Sequence, residues 1–295
     1  MDVIHERAAF AAACGSARGA QRMVGVVPTM GALHDGHRSL LDRARGENDV
    51  VAMTLFVNPL QFGDAADLRA YPRSRDEDLA VAETAGCDLV FAPSVREMYP
   101  AGDPQVTVDP GPLGDRLEGT SRPGHFRGVL TVVVKLLDLA GPCTAYFGEK
   151  DAQQLELVRR MVRDLDIPAR VVVCPTVRAP DGLALASRNA RLSPAGREAA
   201  PVVFRALSAG VFVVGSGERD AERVRAQMCD VLAAEPLART DYAAVVDDAT
   251  WDEPTVVPEV ARLLVAAWIE DVRLVDGVVA RPASASETAG GERAE

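Results

Sequence analysis

An open parallel α/β sheet followed by a smaller α+β domain is the fold class that three features of this sequence predict. Short apolar runs alternate with helical patterns through the first 175 residues, polar turn residues follow several of those runs, and the composition changes after Pro175. The first apolar run, 23–27, reads as a buried strand that Pro28 and Gly31 break, and 36–44 then shows helical spacing at Leu40, Leu41 and Ala44. Further strands are expected at 50–57, 88–92, 144–147 and 170–174, with helices at 75–85 and 152–164 between them.

Past Pro175 the pattern loosens. A loop at 178–185 contains Pro180-Asp181-Gly182, and Ser193-Pro194 has the chemistry of a helix cap and first helical position. Helices are expected at 194–209 and 219–234, and apolar runs lie at 242–246 and 260–269. The segment 272–280, centred on Asp276-Gly277, reads as a hairpin. From Pro282 the residues are small, polar or charged, so a disordered tail is expected. The predicted domains are 1–177, 178–281 and the tail 282–295.

Composition narrows the function classes. A chain of 295 residues with 48% hydrophobic and 25% charged residues can bury a large core, and 32 basic against 43 acidic residues give a formal charge of −11. Nucleic-acid binders concentrate positive charge, so a small-molecule substrate is expected and no nucleic acid. Five cysteines without a C-x-x-C pair fit free thiols in a reducing compartment, hence a cytoplasmic protein. No stretch approaches the roughly 18 uninterrupted apolar residues of a membrane span, and charges in 1–10 argue against a signal peptide.

In an open parallel sheet, ligands bind outside the carboxyl ends of the strands. There the chain places His34 and His37 at the start of a helix, whose first N–H groups and positive dipole end suit an anion. Asn58 and Gln61 follow the second strand, where amides could read a polar substrate. Gly148-Glu149-Lys150-Asp151 and Gln153-Gln154 follow a later one. Ser187 and Arg188 supply a hydroxyl and a guanidinium suited to polyphosphate oxygens. Turn chemistry alone would account for Asn58-Pro59, and Asp151 could serve as an ordinary helix cap.

Six segments taken together are specific: 28–37 (PTMGALHDGH), 56–63 (FVNPLQFG), 71–73 (YPR), 124–129 (GHFRGV), 147–151 (FGEKD) and 187–189 (SRN). Through them the chain resembles the bacterial pantoate–beta-alanine ligases, members of a nucleotidyltransferase superfamily with an H-x-G-H motif. The resemblance implies a Rossmann-like N-terminal domain, a smaller C-terminal lid and a homodimer. It implies ATP-dependent joining of pantoate to beta-alanine through a pantoyl-adenylate, releasing AMP and pyrophosphate, with Mg²⁺ accompanying ATP and no protein metal ligand assigned. His34, His37, Lys150, Ser187 and Arg188 would be catalytic. The ATP site would comprise Met30, Gly31, Ala32, Leu33, His34, Asp35, Gly36 and His37, then Gly148, Glu149, Lys150 and Asp151, and finally Val177, Leu185, Ala186, Ser187 and Arg188. Gln61, Gln154 and Asn58 would bind the acid substrates. Two positions depart from the family pattern: Ala186 stands where many members have a second serine, and Ala152 where several have an aromatic residue.

Overall fold

The computed structural model describes residues 1–283, the Ala65 side chain excepted, so the tail expected from Pro282 lies outside the described residues beyond Ala283. The chain divides into two compact units. The first holds Met1–Val177 together with Leu185–Ser187, and the second holds Arg178–Ala184 and the chain from Arg188 onward. Leu185, Ala186 and Ser187 thus belong to the first unit, where a single cut after Val177 would have assigned them to the second.

Six strands form the sheet of the first unit: β1 (Asp2–Ile4), β2 (Val24–Thr29), β3 (Val50–Leu55), β4 (Leu89–Phe91), β5 (Cys143–Gly148) and β6 (Ala169–Cys174). Every pairing is parallel, and the order is β1-β4-β3-β2-β5-β6. The five expected strands are present; β1 was missed because three residues at an exposed edge show no periodicity. Eight helices connect them: α1 (Arg7–Gly19), α2 (Asp35–Glu47), α3 (Ala65–Ala70), α4 (Arg75–Thr84), α5 (Val95–Met98), α6 (Glu118–Ser121), α7 (His125–Ala140) and α8 (Ala152–Asp164). The chain lays β3 and β4 on one side of β2, then returns to lay β5 on the other. The crevice at the carboxyl ends of β2 and β5 is therefore the point where strand order reverses, the usual ligand position in such sheets.

Packing follows the apolar spacing. Leu40, Leu41 and Ala44 of α2 are buried against Val27, Val51, Met53 and Tyr146, and each fully buried leucine contributes about 1.5–3 kcal/mol. At its far end α2 is tied down by polar groups: Asn48 Nδ2 donates to Tyr146 Oη at 2.6 Å, and Tyr146 Oη donates to Glu47 Oε2 at 2.9 Å. Helix α7 sits against the 3₁₀ turn Pro59–Gln61. Gly128 makes this possible, since a Cβ there would lie 2.3 Å from the Leu60 carbonyl oxygen.

The second unit carries α9 (Pro194–Ala199), α10 (Val202–Gly215) and α11 (Ala221–Ala233) with an antiparallel sheet of β7 (Ala238–Asp247), β8 (Ala261–Ile269) and β9 (Val272–Ala280). Ser193 caps α9 by accepting from Gly196 N, with Pro194 at the first turn, as its sequence indicated. The single helix expected over 194–209 is two, because Pro201 has no N–H to continue the ladder. The combined run 194–215 is long and apolar enough to cross a membrane by composition, with mean hydropathy 1.5, but half of it is buried within the protein. The hairpin expected at Asp276-Gly277 is also corrected. Those residues lie mid-strand in β9, and the turn is Glu270-Asp271, closed by the pair Ile269 and Val272. Asp276 tolerates a buried strand position because Arg178 grips both carboxylate oxygens, its Nη2 at 3.0 Å from Oδ1. A Cβ on Gly277 would meet Leu264 at 2.8 Å.

Candidate active site

The loop after β2 begins with backbone that L side chains rarely adopt. Gly31 has φ +91° and Ala32 φ +50°. Asp78, buried in the first turn of α4, holds this bend: its Oδ2 accepts from Ala32 N at 3.0 Å and its Oδ1 from Leu33 N at 2.7 Å and Ser74 Oγ at 3.3 Å. A Cβ on Gly31 would meet Asp78 Oδ2 at 2.9 Å, so only glycine lets the carboxylate come this close. From the other side Ser187 Oγ donates to Ala32 O at 3.0 Å. The Ser187 hydroxyl proton is thus committed to the loop, and what it presents elsewhere is an acceptor.

Beyond the bend, α2 starts with an unusual reciprocal cap. His34 is the N-cap residue, and its Nδ1 accepts from Gly36 N at 3.1 Å; His37 Nδ1 in turn accepts from His34 N at 3.4 Å. The rings lie 4.1 Å apart. Gly36 leaves room for this fold-back, since a Cβ there would sit 2.8 Å from His34 Nδ1. Of the backbone N–H groups that this helix start was expected to offer an anion, histidine nitrogens occupy two, those of His34 and Gly36. A backbone N–H can only donate, so both Nδ1 atoms are unprotonated and the neutral rings carry their hydrogen on Nε2. Neither Nε2 has a partner among the described residues. The arrangement converts backbone donors of a helix start into two outward imidazole donors.

Electrostatics keeps those rings neutral. Burial first, then the positive charge of Lys150, pulls His34 down to about 4. Burial and then neighbouring His34 bring His37 to about 3, with Lys150 lowering it further. Lys150 lies in the 3₁₀ turn Glu149–Asp151 after β5 and is 3.5 Å from Asp151 Oδ1. Its influence on both histidines brings the β2 and β5 strand ends into one site. His125 is likewise held at about 4 by burial and by Arg122.

These three imidazoles give a prediction. Unfolding releases them into water, where each protonates near pH 6.5, whereas the folded chain keeps them neutral to pH 4 or below. Their contribution to stability is complete above pH 6.5 and is lost as pH falls toward the folded values. The urea midpoint is expected to be lower at pH 5 than at pH 7.5, a window above the carboxylate range. An unchanged midpoint would contradict the neutral-imidazole assignment.

The β3 end contributes Asn58 and Gln61. Asn58 is fully buried, and both ends of its amide are engaged within the protein, so it supports the loop where a substrate contact was expected. Gln61 Nε2 lies 3.1 Å from Met30 Sδ, which joins the β3 and β2 loops. His125 Nδ1 donates to Gln61 O at 2.9 Å, and its Nε2 accepts from Arg122 Nη1 at 3.0 Å. On α8 the two glutamines separate. Gln153 is buried and spans Glu118 N, Leu113 O and Arg116 O, whereas the half-buried Gln154 amide has no hydrogen-bond partner among the described residues.

Leu185 N donates to Val177 O at 3.0 Å, which brings the 185–187 segment back to the chain leaving β6. Half-buried Met30, Glu149 and Ala186, exposed Asp35 and Asp151, and Gly148 at the end of β5 complete the predicted ATP set within the first unit. Arg188 belongs to the second unit, in the 3₁₀ turn Ser187–Arg191. Asp78, Tyr99, Arg122 and His125 support the site but were not assigned to it from sequence. Only the Gly-His-Phe-Arg-Gly-Val segment gave a signal for any of them.

Residues 2–279 match the family model described as pantoate-beta-alanine ligase. The chain is 52% identical over 261 residues to a pantothenate synthetase of Chloroflexus aggregans, covering 88% of this chain and 94% of that protein. It superposes on the crystal structure of pantothenate synthetase from Thermus thermophilus with a TM-score of 0.88 at 47% identity, covering 94% and 99% of the two chains. A Francisella tularensis pantoate-beta-alanine ligase, crystallised with beta-gamma ATP and beta-alanine, superposes with a TM-score of 0.79 at 35% identity, covering 95% and 97%.

Proposed function

The chain belongs to the pantoate–beta-alanine ligase family, and from that premise we propose how its residues join pantoate to beta-alanine with ATP as the driving substrate. In the first step a pantoate carboxylate oxygen attacks the α-phosphorus of ATP, the bond to the bridging oxygen breaks, and pyrophosphate leaves with that electron pair. The product is pantoyl-adenylate. Charge that develops on the α-phosphoryl oxygens is met by the Nε2–H donors of His34 and His37 and by Lys150. Neutral imidazoles suit this work, since each has one N–H donor fixed in place that does not ionise near neutral pH. The observation that carries the assignment is the reciprocal cap, which sets both Nε2–H groups free beside the Lys150 charge.

By the family resemblance Met30, Gly31, Ala32, Leu33, Gly148, Glu149, Asp151, Val177, Leu185 and Ala186 would line the nucleotide, and the same resemblance gives Arg188 the departing phosphates. Ser187 braces the Ala32 carbonyl and can accept a hydrogen bond. Mg²⁺ would accompany ATP and offset the charge of its phosphates, and no group of three His, Cys, Asp or Glu residues that could hold a metal ion occurs among the described residues. Gln61 and Gln154 hold pantoate, with Asn58 supporting Gln61. In the second step the beta-alanine amine, as free base, attacks the pantoyl carbonyl; the C–O bond to AMP breaks, and the new amide nitrogen sheds its extra proton. The reading extends to a cytoplasmic homodimer in which the second unit acts as a lid, on the family resemblance and on five free cysteines.

Pyrophosphate release from MgATP and pantoate, followed with and without beta-alanine, tests the whole reading. Multiple turnovers that require both acids and liberate free AMP are expected. Activity confined to a phosphorylated acceptor, with the nucleotide kept in the product, would overturn it.

A further inference from the structure

A side-chain amide presents a donor at one end and an acceptor at the other, so its direction decides what it can bind. Gln61 has that direction imposed on it. Leu60 N can only donate and lies 3.4 Å from one end of the Asn58 amide; Gly128 O can only accept and lies 3.0 Å from the other. Those two backbone groups identify the Asn58 oxygen and nitrogen. Tyr99 Oη donates to the oxygen at 2.8 Å, a shorter bond than the one from Leu60. The Asn58 nitrogen then donates to Gln61 at 3.1 Å, so the Gln61 atom facing it is the carbonyl oxygen. The Gln61 nitrogen faces the Met30 loop, where its one hydrogen-bond partner among the described residues is a thioether, a weak acceptor.

We propose that Tyr99 is a positioning residue: together with Leu60 N and Gly128 O it holds the Asn58 amide in the direction that leaves Gln61 offering an N–H donor and not its carbonyl. This rests on the reading of Gln61 as a pantoate-binding residue. Tyr99 is 5% exposed and sits at the end of α5, with its ring 6.2 Å from that of Phe56, so it acts through Asn58 and not by contact. Asn58, Gln61 and Tyr99 are all nearly excluded from water, so no solvent molecule replaces a lost partner cheaply. The consequence is selectivity for ligands with an acceptor at this point. A carboxylate or an ether-like oxygen fits; a group that can only donate does not.

A double-mutant cycle tests the relay. Gln61→Ala, Tyr99→Phe and the double variant would be compared with the parent enzyme for the KM of pantoate, kcat and thermal midpoint. Tyr99→Phe is expected to raise the KM of pantoate about tenfold in the parent, with kcat within about twofold, and to leave KM unchanged when Gln61 is already alanine. An equal rise in both backgrounds, or no rise in the parent, would overturn the relay while leaving the Gln61 assignment intact. If Gln61→Ala itself leaves the KM of pantoate untouched, the assignment of Gln61 fails, and the relay with it.

Discussion

Lys150→Ala is expected to slow pantoate-dependent pyrophosphate release by about a hundredfold or more, and His37→Ala to do the same, with both proteins still folded. Loss of one fixed donor to a developing oxyanion costs about 3 kcal/mol of barrier, which corresponds to that factor. The fold survives in the first case because the Lys150–Asp151 pair is partly exposed and adds little to stability. It survives in the second because the hydrogen bond lost, from His34 N, is long at 3.4 Å. Steady-state rates read beside a urea melt separate the two effects. Near-normal turnover in either variant would remove that residue from the mechanism. Lys150→Ala should also let His34 and His37 titrate at somewhat higher pH, yet still below 6.5, since burial is the larger cause of their depression.

Asp78→Asn changes one atom outside the substrate site and is expected to lower kcat about tenfold or more while destabilising the chain by about 2 kcal/mol. The carboxylate uses one oxygen for Ala32 N and the other for Leu33 N. Asparagine has only one oxygen, so one of those N–H groups must face an NH₂. The bend at Gly31-Ala32 then relaxes, and the histidine pair that follows it loses its bearing. Turnover and the urea midpoint should fall together. Full activity at an unchanged midpoint would show that the bend needs no carboxylate.

Much of the candidate site could be read from the sequence because strand ends carry their own punctuation. Gly31 and Asn58-Pro59 follow the ends of β2 and β3, and the polar residues beside them fall where an open parallel sheet binds ligands, whereas Pro28, expected to break the first strand, lies inside β2 paired with Thr54. The less legible residues act across long separations. Asp78 looks like any acid in the first turn of a helix, a position the helix dipole favours, and nothing local says that its partners lie 46 and 45 residues earlier. Gln153 and Gln154 are adjacent and chemically identical; the facing of α8 alone decides which is consumed by the protein and which is left for a ligand. Asn58 was expected to contact substrate, but its amide is taken up by Tyr99 and Gly128, which arrive from α5 and α7. Asp276-Gly277 misled for a related reason: its turn signal is local, whereas the Arg178 partner that lets it sit in a strand is 98 residues away.

Helix α2 is fastened ahead of its start by Asp78, which grips Ala32 N and Leu33 N, and at its finish by the Asn48–Tyr146–Glu47 chain, while Leu40, Leu41 and Ala44 seat its middle in the core. Mechanically it is an anvil. A part held at three points cannot swing toward a reactant without breaking the clamps, so the proposed histidine donors would meet each ATP in the same attitude. Any stroke of the catalytic cycle has to be delivered by other segments against this stationary face.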